Sequence, residues 1–142
     1  MPSVSVRYIV DDVDAAITFY RDHLGFTEVM HPAPAFAMLA RGDLRLLLSA
    51  AGGGPGGGQA MSDGTRPEPG GWNRFAIEVP DLAGTVSDLR AKGVAFRNEI
   101  VTGVGGKQIL VEDPSGNPVE LFEPTLPEAR LSPPSERFAT GH

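Results

Sequence analysis

The sequence predicts an α+β fold: two βαβββ modules forming a curved mixed sheet around a concave cavity, with the helices on the outer face. Three observations lead there. A strand–helix pattern near the start recurs 69 residues later, and each copy is followed by three strand-like runs. A stretch too rich in Gly and Pro for helix or central strand separates the copies. The 142 residues give room for one compact domain or two small modules.

Residues 4–10 are β-branched and aromatic and read as the first strand. Asp11 and Asp12 then open a helical pattern in which Val13, Ile17, Tyr20 and Leu24 share one face, and Gly25 stops it. The acidic run of Asp11, Asp12 and Asp14 is fully explained by the cap and dipole of a helix N-terminus. Tyr20 reads as a core residue with a solvated hydroxyl. Residues 26–31, 35–41 and 44–50 follow as three strands, the last two joined by a Gly42-Asp43 turn.

Residues 51–71 hold nine of the 18 Gly and three of the 13 Pro, and read as a long flexible connector. Its Gly run does not fit a dinucleotide loop, which a helix must follow at once. The later run from Gly103 to Gln108 lacks the first spaced Gly of a phosphate loop and has Gln where Ser or Thr should stand. Both are turns.

Beyond the connector the first pattern returns. Residues 74–79 repeat the strand, Pro80 and Asp81 the helix start, Leu82, Val86 and Leu89 the apolar stripe, and Gly93 the stop. A shift of 69 lays Val10 on Val79, Asp12 on Asp81, Ile17 on Val86 and Tyr20 on Leu89. Three strands follow at 94–102, 107–112 and 119–123, with a turn from Asp113 to Asn117 before the last. The chain thus divides into a first module, 1–50, the connector, 51–71, a second module, 72–124, and a tail, 125–142. The tail is expected to dock through Leu126, Leu131 or Phe138.

Alternation along the strands sorts their faces. Val4, Val6, Tyr8 and Val10 would pack under the first helix, leaving Ser5, Arg7 and Ile9 toward the cavity. Leu44, Leu46 and Leu48 would be core, with Arg45, Leu47 and Ser49 opposite, joined by Phe36 and Met38. In the second module Phe75, Ile77 and Val79 would lie under the helix, leaving Arg74, Ala76 and Glu78; Val119 and Leu121 would be core, leaving Glu120 and Phe122. Trp72, at the connector's exit, is placed to cover the cavity mouth. Arg7 is open to two readings, an anion contact or a partner for Glu78.

Composition narrows the function. Twelve Lys and Arg against 18 Asp and Glu give a net charge of −6, and no basic cluster exists to bind nucleic acid. The absence of Cys removes disulfides, thiolate ligands and a Cys nucleophile. No apolar run is long enough to span a membrane, and the N-terminus lacks the features of a signal peptide, so the expected location is cytoplasmic. No His is placed to serve a Ser/His/Asp triad.

The segment from Val10 to Phe26 resembles the first module of the vicinal oxygen chelate superfamily, which contains glyoxalase I, extradiol dioxygenases, fosfomycin-resistance enzymes and bleomycin-resistance proteins. The segment from Val111 to Pro124 resembles its closing hairpin and last strand. In metal-dependent members, the first and last strands of each module supply His, Gln or Glu ligands to one divalent cation. Carried over, those positions are Ser5, Leu47, Arg74 and Glu120, and only Glu120 is a competent ligand. Leu supplies no donor and a guanidinium repels a cation, so the resemblance implies no metal and no cofactor. His23 reads as a solvated helix position, His31 ends a strand and His142 ends the chain.

By the same resemblance Arg74 and Glu120 are expected to meet where the metal would sit, as a structural ion pair or as a ligand anchor, with Ser5 beside them. The expected function is metal-independent binding of a small molecule, of the bleomycin-resistance type and by a homodimer. The candidate ligand-binding residues are Ser5, Arg7, Phe36, Met38, Leu47, Trp72, Arg74, Glu120 and Phe122. The alternatives are a metal-dependent lyase or dioxygenase resembling glyoxalase I, and a scaffold with a vestigial cavity.

Overall fold

Asp12 begins the first helix as its sequence requires. The Asp12 carboxylate accepts a hydrogen bond from the Ala15 N–H at 3.2 Å, and α1 runs Val13–Leu24. Gly25 ends it in the left-handed region at φ 76°, where a side chain would be strained. Its last turn is closed from outside by Arg41, whose Nε donates to the Leu24 carbonyl at 3.0 Å.

The computed structural model describes residues 4–52 and 57–129. Among these, residues up to 75 together with 112–118 form one compact unit, and 76–111 together with 119–129 form a second. Leu131, Phe138 and His142 lie outside the described residues; Leu126 is exposed.

The first unit carries a four-stranded sheet in the order β1-β4-β3-β2, built from β1 (Val4–Val10), β2 (Thr27–Ala33), β3 (Phe36–Arg41) and β4 (Leu44–Ala50). β1 pairs parallel with β4; the other pairs are antiparallel. One face packs on α1 through Tyr8, Val10, Ala37, Leu39, Leu46 and Leu48, against Val13, Ala16, Ile17, Tyr20 and Leu24. Burying each Val, Leu or Ile of this set stabilises by about 1.5–3 kcal/mol.

Two aromatic expectations change here. Phe75 does not pack under the second helix: its ring lies 5.2 Å from Tyr8, 6.0 Å from Phe26 and 6.5 Å from Tyr20. Phe75 is half-buried, and strand β5 begins only after it, at Ala76. Tyr20 has no solvated hydroxyl. It is completely buried and donates to Asp113 Oδ2 at 2.8 Å.

The turn from Asp113 to Asn117 is thereby built into the first unit. Asp113 Oδ1 accepts from the Ser115 and Asn117 N–H groups, both at 2.9 Å, and its Oδ2 also accepts from Asn117 Nδ2 at 3.0 Å. Asn117 Nδ2 donates to the Ile9 carbonyl at 2.8 Å, and Asn117 Oδ1 accepts from the Gly70 N–H at 2.7 Å. Ser115 Oγ accepts from the Asp11 N–H at 2.8 Å. Every polar atom of the buried Asp113–Asn117 pair therefore has a partner, which is what such a burial requires.

The described part of residues 51–71 is stitched to the same unit. The Gly52 N–H donates to the Gly58 carbonyl at 2.6 Å, and Arg66 Nη2 donates to the Ala51 carbonyl at 3.4 Å. Gly58 is buried, and a Cβ there would overlap the Ala50 carbonyl; a Cβ on Gly57 would overlap the Arg7 guanidinium. The need for Gly at these two places is close approach of backbone.

The second unit carries a five-stranded sheet and α2 (Leu82–Ala91), capped by Asp81. The Leu82 N–H is met at 2.8 Å by Glu123 Oε1, from the last strand. β5 (Ala76–Glu78) pairs parallel with β9 (Pro118–Pro124), and β8 (Gly106–Glu112) follows, with the core made by Ile77, Leu82, Val86, Leu89, Ile109, Val111, Val119 and Leu121. The single strand expected over 94–102 is two short ones, β6 (Ala95–Phe96) and β7 (Val101–Thr102). Asn98 interrupts the ladder, because its side-chain oxygen, in place of a backbone carbonyl, accepts from the Leu110 N–H at 2.9 Å.

Candidate functional site

The face of the first sheet turned away from α1 is read directly from register. Parallel pairing aligns Ser5 with Arg45, Arg7 with Leu47 and Ile9 with Ser49. Antiparallel pairing continues these rows to Ala40, Met38 and Phe36, and β2 sets Met30 opposite Met38. One row thus runs Arg7, Leu47, Met38, Met30, a guanidinium at one end of a flexible apolar strip. Ser5, Arg7, Phe36, Met38 and Leu47, all expected on one face, share it.

Arg7 is held at its guanidinium end. Nη1 donates to Ser49 Oγ at 3.2 Å, and the Gly57 backbone lies against the side chain. Arg45 Nη1 contacts Met38 Sδ at 3.7 Å. Beside Arg7 a cavity of about 320 Å³ opens along β1, lined elsewhere by Glu68, Gly70, Asn73, Arg74, Phe75 and Asn117. It takes in Arg7 and Arg74 together, with Glu68 and Asn73 as further polar groups and Phe75 as its largest apolar wall. Arg74 Nη1 donates to the Trp72 carbonyl at 3.2 Å. Trp72 itself is 69% exposed and is not part of the cavity lining.

Tyr8 and Asn117, two neutral polar groups of this lining, are occupied within the protein. The Tyr8 hydroxyl donates to the Pro118 carbonyl at 2.7 Å and accepts from the Phe75 N–H at 3.3 Å, and the Asn117 amide is used as described above.

In the second unit the register sets Ala76 beside Glu120 and Glu78 beside Phe122, on the side away from α2, where alternation had placed all four. Glu120 has a neighbour that sequence reasoning missed. With its amide nitrogen toward Glu120, Gln108 donates to both carboxylate oxygens, at 2.9 and 3.1 Å. The signal is present in the sequence, since β8 alternates Lys107, Ile109 and Val111 with Gln108 and Leu110. Arg74 belongs to the first unit and Glu120 to the second.

Residues 4–121 match the family model of the Glyoxalase/Bleomycin resistance protein/Dioxygenase superfamily. The chain belongs to this superfamily. Solved structures agree on the fold. A lactoylglutathione lyase from Agrobacterium tumefaciens is 24% identical, with 84% of this chain and 91% of that one covered and a TM-score of 0.66. TnmS3, an antibiotic binding protein from Streptomyces sp. CB03234, is 22% identical over 87% of this chain and 95% of that one, with a TM-score of 0.65. A superfamily protein from Nocardioides is 22% identical over 92% and 87%, with a TM-score of 0.65. No curated protein matches the chain.

A divalent ion at the superfamily's four ligand positions does not fit the donors this chain carries. Leu47 has none, Ser5 offers only a neutral hydroxyl, and Arg74 is a cation; Glu120 alone is a carboxylate. Among the described residues, no group of three or more His, Cys, Asp or Glu is placed to hold a metal ion. The two His that are described lie elsewhere. His23 is not the solvated residue expected: it is half-buried, its ring 5.5 Å from Phe19 and its Nδ1 buried without a partner. The aromatic neighbour lies four residues back along α1, a contact that helix geometry makes natural. His31 Nε2 lies 3.8 Å from Asp14 Oδ1.

Proposed function

We propose that the chain is a metal-independent small-molecule binding protein, with its ligand held against the helix-free face of the first unit and in the adjoining cavity. One observation carries this reading: Arg7 heads the apolar row of Leu47, Met38 and Met30, and is also one of the residues that line the adjoining cavity. A fixed cation beside adaptable apolar surface suits an amphipathic ligand, with the charge orienting it and the apolar strip supplying most of the burial. The antibiotic-binding relative lends the reading a ligand type, a drug-like organic molecule. The proposal extends to Ser5 and Phe36 on the same face, to Trp72 at its margin, and to Glu120 and Phe122 on the second unit. It also includes a homodimer, with no nucleic-acid or membrane partner, acting in the cytoplasm; no helix among the described residues is long and apolar enough to cross a membrane.

A lyase is the second reading. The lyase relative and the Glu120 carboxylate, oriented by Gln108, favour it. It asks for chemistry the four ligand positions are poorly equipped to supply. A scaffold with a vestigial cavity is disfavoured by the open volume beside Arg7.

The test is a thermal-shift screen of amphipathic compounds on the full chain, repeated with Leu47→Asp and Phe36→Ser. Compounds that stabilise the native chain and lose that effect in both variants support the proposal. Compounds whose effect is the same in all three proteins contradict the placement.

A further inference from the structure

We infer that the cavity along β1 recognises a short, extended peptide or peptide-like chain through the backbone of Arg7. This rests on the small-molecule reading above and names the chemical class of the ligand. Residues 6–9 all line the cavity, four in succession. A sheet face offers a ligand every second residue, so an unbroken run means that the cavity lies along the strand's edge. β1 ends its sheet, with β4 on one side and, among the described residues, no strand on the other.

The side to which each peptide group points follows from the bonds around it. β1 and β4 run parallel, and the Ala51 N–H donates to the Val10 carbonyl at 3.4 Å, so the even-numbered residues of β1 bond to β4. The odd-numbered residues face the open edge. There the Ile9 carbonyl accepts from Asn117 Nδ2 at 2.8 Å, and just past the strand the Asp11 N–H donates to Ser115 Oγ at 2.8 Å. Those two bonds close the far end of the edge. The Arg7 N–H and carbonyl and the Ile9 N–H are left on the cavity side, and among the described residues none of the three has a hydrogen-bond partner.

A donor and an acceptor of one residue on one side of a strand are what a neighbouring chain pairs with, by exchanging two hydrogen bonds. An extended amide chain carries the matching pair at the matching spacing; an ester lacks the donor, and hydrocarbon lacks both. Val6, Ile9 and Phe75 supply apolar wall for its side chains. A volume of about 320 Å³ is near the lower end of the range for ligand pockets, so the occupant is a short chain and not the strand of a partner protein.

The experiment titrates N-acetyl-valine N′-methylamide, and its analogue with an ester oxygen in place of the valine N–H, into the isotopically labelled full chain, following the backbone amides by NMR. In the free protein the Arg7 and Ile9 amide protons are expected to exchange with water faster than those of Val6 and Tyr8, which face β4. The amide probe is expected to shift the Arg7 signal saturably, to slow its exchange, and to bind about tenfold more tightly than the ester. Arg7→Ala keeps the backbone and is expected to keep the amide probe's affinity. Arg7→Pro removes an N–H that β4 does not use, and is expected to weaken that probe by about tenfold. Equal binding of amide and ester to the native chain, or an equal loss in the Ala and Pro variants, overturns the backbone assignment while leaving the small-molecule reading intact. Absence of any shift at Arg7 with either probe at millimolar concentration overturns it too, and overturns both readings if the compound screen also finds nothing that stabilises the chain.

Discussion

The Tyr20 hydroxyl donates to the Asp113 carboxylate at 2.8 Å, across 93 residues of sequence and with both side chains buried. This bond anchors the second module's turn in the first unit's core, alongside Asn117 and the Ile9 carbonyl. Removing one partner leaves the other buried and short of a hydrogen bond, which costs more than the bond itself is worth. Tyr20→Phe and Asp113→Asn are each expected to destabilise by about 1–3 kcal/mol. In a double-mutant cycle by urea denaturation, the pair should show coupling of about 0.5–3 kcal/mol. Strict additivity would mean that the hydroxyl and carboxylate do not interact in solution.

The same burial fixes a pH dependence. Desolvation, and then the neighbouring Asp113 charge and hydrogen bond, raise the Tyr20 pKa well above its ordinary value. Above the ordinary tyrosine value the unfolded chain releases this proton while the folded chain keeps it, so the folded state holds more protons and stability falls with rising pH. The contribution is fully present below about pH 10 and is lost as pH rises through the folded-state value. Urea midpoints measured from pH 8 to pH 11 should decline more steeply in the native chain than in Tyr20→Phe. Parallel declines would contradict the assignment.

Close approach of the loop at Gly58 gives a third expectation. A Cβ there meets the Ala50 carbonyl, which is backbone and cannot swing aside. Gly58→Ala should therefore destabilise by about 1–3 kcal/mol. Gly57→Ala meets the Arg7 side chain instead, and should cost less stability while displacing the guanidinium. Thermal melts of the two variants rank them; a more stable Gly58→Ala would mean the loop does not lie on Ala50.

Much of this architecture was legible because it is local. Asp12 and Gly25 mark α1 by capping chemistry, and the recurrence at 69 residues reveals the duplication before any contact is known. Alternation placed Ser5, Arg7, Leu47, Met38 and Phe36 on one face, since a period of two leaves no other choice once the apolar face is assigned. What escaped was long-range. Nothing near Phe75 says that its ring joins Tyr8 and Phe26, and nothing near Tyr20 names Asp113 as its partner. The break at Asn98 escaped for the opposite reason, a side chain imitating backbone within an otherwise strand-like run. Gln108 is legible from alternation, which sets it on the face of β8 opposite Ile109 and Val111.

Arg74→His is a direct test of the donor argument. One added imidazole, counted with Glu120's carboxylate, gives at most two strong donors among the four superfamily positions, because Ser5 and Leu47 are unchanged. Isothermal titration of zinc and nickel into this variant should show no gain in tight binding over the native chain. Stoichiometric tight binding would mean that other residues complete the site.

The central claim, a superfamily member that binds its ligand without a metal, is tested most directly by metal content. Untagged protein is incubated separately with zinc, nickel, manganese and iron(II), desalted, and assayed by elemental mass spectrometry beside the untreated sample. The account predicts far less than one ion per chain in every sample. About one ion retained per chain would contradict it and return the lyase reading to first place.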